Sequence, residues 1–446
     1  DYIATEHTSF HYIKDNIPKP SISDLVKYLL REKNFILFPR TREVDVYQYT
    51  GTHWKYIEYP RFIGYINDLY KPEFVDPNVL VRSANAFFAE TAPMQVGEPT
   101  DPSNYISLAN GDFAIDSLEL VPHNKNHRSF SMICYDYAPD AKCPKFLKFM
   151  SEVFTSDVYI NNVLEFFASA LFNLPNHTYD KCLILYGPMS NGKSTLANIM
   201  TCVLGKENVS ADTMSEKSFE KIGGLTTVID KKLNISEESD WSLFSSPQFK
   251  NIISGGMLTI NPKNKSLKTI KFNTKLMFCT NDIPKARTSV EAIAKRVMLC
   301  DMPNCFDDND PRQNKNLANE ICTEELPGIL NLLVEAGKRL LTRGRYNTST
   351  TEYQKMTEVF KLSTNDVLAW ASEHLEVCDE HSIPVKDVYS VYSNYCRDNN
   401  MYAENIKQFA KTMRSAYDYG VTIRDGDKTI RVLKGYKLKE DFDGTI

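Results

Sequence analysis

Residues Leu183–Met200 read LILYGPMSNGKSTLANIM, and this stretch decides how the rest of the chain is understood. A short apolar run, Lys181–Tyr186, has the character of a strand buried in a parallel sheet. After the loop, Leu196, Ile199, Met200, Val203 and Leu204 share one helical face, and Gly205 stops the helix. Between them, residues 187–194 fit the pattern G-x-x-x-x-G-K-[ST]. Glycines let backbone N–H groups close around phosphate oxygens, and the helix N-terminus adds the positive end of its dipole. The grip expected on a nucleoside triphosphate comprises Gly187, Pro188, Ser190, Asn191, Gly192, Lys193, Ser194 and Thr195. Lys193 would reach the β- and γ-phosphates and the Ser194 hydroxyl would hold Mg²⁺.

The chain has 446 residues, enough for two or three domains, with 42% hydrophobic and 24% charged residues as in ordinary globular protein. No apolar run approaches the roughly 20 residues of a membrane span and no leader peptide is visible, so a cytoplasmic setting is expected with no membrane partner. The sequence opens on Asp1, which suggests a piece of a larger polypeptide. Ten cysteines, without a C-x-x-C pair, read as reduced thiols, and neither they nor the eight histidines suggest a zinc site. A net charge of -5 argues against a uniformly basic coat but leaves room for a local basic strip.

A triphosphate site that hydrolyses needs a carboxylate near the metal and a group to orient water. Glu237 and Glu238, in KLNISEESD, leave a predicted strand; Glu237 is the metal candidate and its neighbour the water-polarising one. Asn281 ends the strand of LMFCTNDIP, where an amide can bond the γ-phosphate or the attacking water. Arg296, in EAIAKRVML, fits the arginine-finger role, with Arg287 in reserve. Between the acids and the amide, Lys263, Lys265, Lys268, Lys271 and Lys275 punctuate a predicted hairpin without one acid. That composition suits phosphate-backbone contact, and equally a solvated lysine-rich hairpin. Residues 307–315, DDNDPRQNK, read as a solvated acidic loop.

The organisation predicted is a mixed α/β N-terminal domain over 1–137, a helical lead-in over 138–180 and an α/β ATPase core over 181–345. A winged-helix-like domain follows over 366–446. Hairpins are expected over Val46–Ile57 and Ile106–Asp116. A helix with Asp157 as its expected N-cap stacks Ile160, Val163, Leu164, Phe167 and Leu171. Thr342–Thr351 reads as a linker region. Three helices and a hairpin turning at Asp425 and Gly426 then give the order of a winged helix, with Lys407, Lys411 and Arg414 opposite Ile406, Phe409, Ala410 and Met413 on its third helix.

The ordered set GPMSNGKST, NISEE, SGGMLTINPKNKSL and FCTNDIP with AKR resembles the superfamily 3 helicases, AAA+ P-loop ATPases of viruses and plasmids. Upstream, NGDFAID and the segment from LVPHNKNHRSF to SEVF resemble the region preceding the helicase in phage and poxvirus primase-helicases. The resemblance implies ATP and Mg²⁺ as cofactors and a Walker B pair at Glu237 and Glu238. It implies a sensor at Asn281, Arg296 acting across a subunit interface, and single-stranded DNA tracked by the hairpin around Lys263, Lys265 and Lys268. A hexameric homo-oligomer acting at forked DNA, an upstream primase or primase-polymerase domain and a viral or phage replication complex are implied too. Relatives often carry two arginines where this chain has Lys295 and Arg296. Two other readings are a P-loop phosphotransferase and an ATP-switched replication initiator or loader without processive unwinding.

Overall fold

Cys182–Tyr186 (β1), Val209–Ser210 (β2), Leu233–Ser236 (β3), Lys275–Thr280 (β4) and Val297–Asp301 (β5) form one sheet of order β2-β3-β4-β1-β5, parallel at every pairing. The computed structural model describes residues 10–14, 17–39, 44–71, 75–91, 103–219, 224–237, 243–244, 246–261, 268–283, 290–307, 309–425 and 428–439. β1, β4 and β5 are mainly apolar because both faces are covered, and β3 (LNIS) is buried along its length with Asn234 Nδ2 and Ser236 Oγ donating to the Asp212 carbonyl. Alternate residues divide between two cores. Leu183, Leu185, Met277, Cys279, Met298 and Cys300 face one, and Cys182, Ile184, Leu276, Phe278, Val297 and Leu299 face the other. The first core also takes Leu196 and Ile199 of the helix after β1 (α1, Lys193–Leu204), and residues of Asp157–Leu171 and Leu326–Arg343.

The helix expected to be capped by Asp157 is capped one residue earlier, by Ser156, whose Oγ accepts from the Val158 N–H. Asp157 sits in the first turn instead, where its charge complements the helix dipole. Glu165 on this helix is 3% exposed and takes both guanidinium nitrogens of Arg343, at 2.8 and 2.9 Å. The expected linker is pinned rather than free. After Gly344 ends Leu326–Arg343, Tyr346 is buried and its hydroxyl donates to Ser169 Oγ at 2.7 Å. One aromatic anchor in a polar run is enough to dock it, and the helix Thr351–Thr364 starts directly after it.

The N-terminal region is mixed α/β. Phe35–Pro39, Val44–Tyr49 and Trp54–Ile57 form an antiparallel sheet, and the hairpin expected over Val46–Ile57 is present. Helices Ile22–Glu32, Tyr59–Tyr70 and Pro77–Thr91 cover it through Leu25, Leu29, Phe62, Ile66 and Phe87. The hairpin of Tyr105–Leu108 and Gly111–Ala114 gains a third strand, Glu119–Val121. Buried Asp112 holds the following loop through His123 and His127, and that loop meets the first sheet where Trp54 Nε1 donates to the Lys125 carbonyl at 2.9 Å.

At the other end, helices Asp366–His374, Val385–Asp398 and Ile406–Ala416 pack on a sheet of Leu375–Pro384, Tyr419–Asp425 and Lys428–Leu438. This is a winged-helix-like arrangement. Gly426 lies outside the described residues. Leu375–Pro384 was not foreseen as a strand, because its centre is CDEH and Leu375 and Ile383 are its buried apolar contacts. Ile406, expected on the buried face of the third helix, is half exposed at the helix start. Among the described residues no helix is long and apolar enough to cross a membrane.

Candidate functional site

Because the sheet is parallel, the segments leaving β1, β3, β4 and β5 emerge on one edge, where open α/β sheets bind ligands. Register brings Tyr186 beside Thr280 and Asp301, so Gly187, Asn281 and Met302 start together there. Glu237 follows β3 on the same edge. The glycine loop needs its glycines: Gly187 has φ +148° and Gly192 φ +92°. A Cβ on Gly187 would lie 2.3 Å from the Met302 carbonyl oxygen, and one on Gly192 3.0 Å from Val153 Cγ1.

The Lys193 ammonium is the hub. It donates to the carbonyls of Gly187 and Pro188, both at 2.8 Å, to Asn191 Oδ1 at 2.9 Å and to Asn281 Oδ1 at 3.0 Å. Asn191, itself buried, donates to the Met302 carbonyl at 2.8 Å and so fixes the loop against the exit of β5. Burial pushes the Lys193 ammonium below its usual value. The Cys279 thiol, on β4, is pushed up to about 12 by burial, with the Glu237 carboxylate adding to the rise and Lys193 opposing it. Pro188, Ser190 and Ser194 are exposed and Thr195 is half-buried. Exposed oxygens on Ser194 and Glu237 suit a hard cation such as Mg²⁺ shared with phosphate. Among the described residues no three His, Cys, Asp or Glu side chains are grouped to hold a metal by themselves.

Three family models match parts of the chain. Residues 77–155 match the D5 N-terminal-like family, 185–296 a family of unknown function, DUF5906, and 364–427 the RFX DNA-binding domain. A comparison with curated proteins finds no match. The fold is similar to the A-form apo structure of the NrS-1 C-terminal region, with a TM-score of 0.52 at 12% identity over 92% of this chain and 98% of that one. Residues 77–155 are thus similar to the D5 N-terminal-like family, and the fold over most of the chain is similar to that of the NrS-1 C-terminal region. Two further apo structures of the NrS-1 region give TM-scores of 0.46 at 11% and 12% identity, each over 92% of this chain.

Arg296 stands apart from Lys193. It precedes β5 and so lies on the opposite edge of the sheet, about 16 Å away by the length of the five-residue strand. Its Nε donates to Ser254 Oγ at 3.2 Å and its Nη1 to the Ala292 carbonyl at 2.9 Å. Lys268 opens the second strand of an antiparallel ribbon, Met257–Ile260 with Lys268–Lys271. The ribbon buries Leu258, Ile260 and Ile270 and leaves Met257 and Thr259 exposed. Glu238, Lys263, Lys265 and Arg287 lie outside the described residues. On the third helix of the C-terminal domain, Lys407, Lys411 and Arg414 are exposed over buried Phe409 and Met413.

Sequence reasoning missed the segment leaving β5. Met302 N–H donates to the Tyr186 carbonyl and Phe306 N–H to the Ser190 carbonyl, both at 2.8 Å, so it runs along the glycine loop. Those bonds are made by backbone, which leaves no residue signature. The available signal was the position of a strand, VMLCD, beside the strand feeding the loop.

Proposed function

We propose that this chain is an ATP-driven replicative DNA helicase, a homohexameric ring that translocates on single-stranded DNA at a fork. It would be the C-terminal part of a larger primase or primase-polymerase polypeptide. The observation that carries the reading is the junction of Lys193 Nζ, the glycine-loop carbonyls and Asn281 Oδ1 on the exit edge of the sheet.

In this reading the amides of residues 187–195 cradle the phosphates and Lys193 turns from carbonyls to the β- and γ-oxygens. Ser194 and Glu237 would hold Mg²⁺, which neutralises charge building on the phosphates. Glu238 orients the water that attacks the γ-phosphorus, releasing ADP and phosphate, while the Asn281 amide bonds the γ-phosphate or that water. Within one chain Arg296 is a strand's length from Lys193, which supports assigning it to the site of the next subunit. Lys268, which opens the second strand of the ribbon, and Lys263 and Lys265, which precede it in sequence, are assigned to the DNA backbone, where charge matters and sequence does not.

The winged-helix-like domain, with its exposed basic third helix, favours a second reading, an initiator or loader switched by ATP. Hydrolysis assayed with and without single-stranded DNA tests the first reading, which expects severalfold stimulation; equal rates contradict translocation. Displacement of one strand from a forked duplex separates helicase from loader.

A further inference from the structure

The order of the sheet gives the exit edge a direction. β1 lies between β4 and β5, and Asn281, assigned to the γ-phosphate or its attacking water, and Glu237, assigned to the Mg²⁺, both leave strands on the β4 side. A nucleotide held there by Lys193 and extended along the edge has its nucleoside end toward β5. The segment leaving β5 is the one laced to the glycine loop, with Cys305 Sγ 3.4 Å from the Met189 carbonyl in addition to the backbone bonds. Asn304 Nδ2 donates to the Glu152 carbonyl at 2.7 Å and anchors the far side.

This segment ends in a prepared plate. The Arg312 guanidinium lies over the Phe306 ring, 4.8 Å from its centroid. Asp310 grips it from the edge with two bonds, from Nε at 2.9 Å and from Nη2 at 2.6 Å. Gln313 Nε2 donates to the Phe306 carbonyl at 3.2 Å and closes the turn. The Arg312 side chain is still 45% exposed. A planar cation whose orientation is already fixed stacks on an aromatic heterocycle at low entropic cost. Arg312, from the run that composition reads as a solvated acidic loop, thus joins Phe306 just before it to place a guanidinium and an aromatic beside the glycine loop.

We propose that the Phe306–Arg312 stack seats the nucleoside of the triphosphate held by the glycine loop, so that these two residues select a nucleotide over a bare polyphosphate. This rests on the glycine loop being a triphosphate site. Titration calorimetry of the full chain with the β,γ-imido analogue of ATP and with inorganic tripolyphosphate tests both levels separately. Wild type binds the analogue more tightly than tripolyphosphate. Arg312→Lys keeps the charge but loses the plane, and it weakens the analogue about tenfold, the worth of one stacking contact, while tripolyphosphate is unaffected. Phe306→Ala, checked for folding by its thermal transition, behaves the same way. An unchanged analogue affinity in Arg312→Lys, or equal weakening of both ligands, overturns the seat and leaves the glycine-loop reading standing. Binding of neither ligand to wild type overturns the glycine-loop reading, and the seat with it.

Discussion

The two edges of the parallel sheet carry the same kind of side chain to opposite ends. On the entry edge a cation precedes or opens each of four strands: Lys181, Lys232, Lys275 and Arg296. On the exit edge stand Gly187, Glu237, Asn281 and Met302, with Lys193 among them. The entry lysines are staples. Lys275 Nζ donates to Asn176 Oδ1 at 2.7 Å, Lys232 Nζ to the Leu171 carbonyl at 3.0 Å, and Lys181 Nζ to the Lys295 carbonyl. Burial pushes Lys275 down to about 7 and Lys232 to about 8. Lys193 also donates to carbonyls, but its neighbours Pro188, Ser190, Ser194 and Asn281 are exposed, so a phosphate can replace those acceptors. In the proposed site Lys193 is set apart from the entry lysines by the exposure of these neighbours, not by its bonds.

Truncating each edge should therefore cost different things. Lys193→Ala is expected to lower ATP hydrolysis by on the order of a thousandfold with the fold intact, since it removes the cation that meets the transferring charge. Near-normal turnover would erase the distinction between the edges. Asn281→Ala, which removes one amide at the same junction, is expected to lower kcat about tenfold with KM little changed, measured by steady-state kinetics.

Lys275→Met should leave hydrolysis alone and change the pH dependence of stability. The folded value of Lys275 lies below the unfolded one, so between about pH 7 and the ordinary lysine value the unfolded chain binds the proton that the folded chain lacks. Stability from this residue is lowest below that window and rises through it. Wild type should gain about 1 kcal/mol per pH unit relative to Lys275→Met between pH 7.5 and 9, read by denaturant unfolding. Parallel curves would show that the entry lysine is not the buried, proton-shedding group described.

What the sequence disclosed follows the same division. The glycine loop was legible because Gly187 and Gly192 are dictated by backbone conformation and close approach, which leave a fixed spacing. Glu237 and Asn281 were legible because each directly follows an apolar strand. Arg296 was legible as a residue but not as a location; strand direction alone puts it on the entry edge. The wrap of residues 302–313 was hidden because backbone carries its bonds and its acids suggest solvent. Tyr346 was hidden in a polar run for a similar reason: one buried ring outweighs ten residues of composition.

The central claim is that the exit edge, and not the entry edge, is where a triphosphate binds. Hydrogen exchange of the full chain, with and without the β,γ-imido analogue of ATP and Mg²⁺, tests it most directly. The account predicts slowed exchange at the amides of residues 187–195 and at Asn281, with the amides of Lys181, Lys232 and Lys275 unchanged. Protection confined to the entry edge, or no protection at residues 187–195 at saturating analogue, would contradict it.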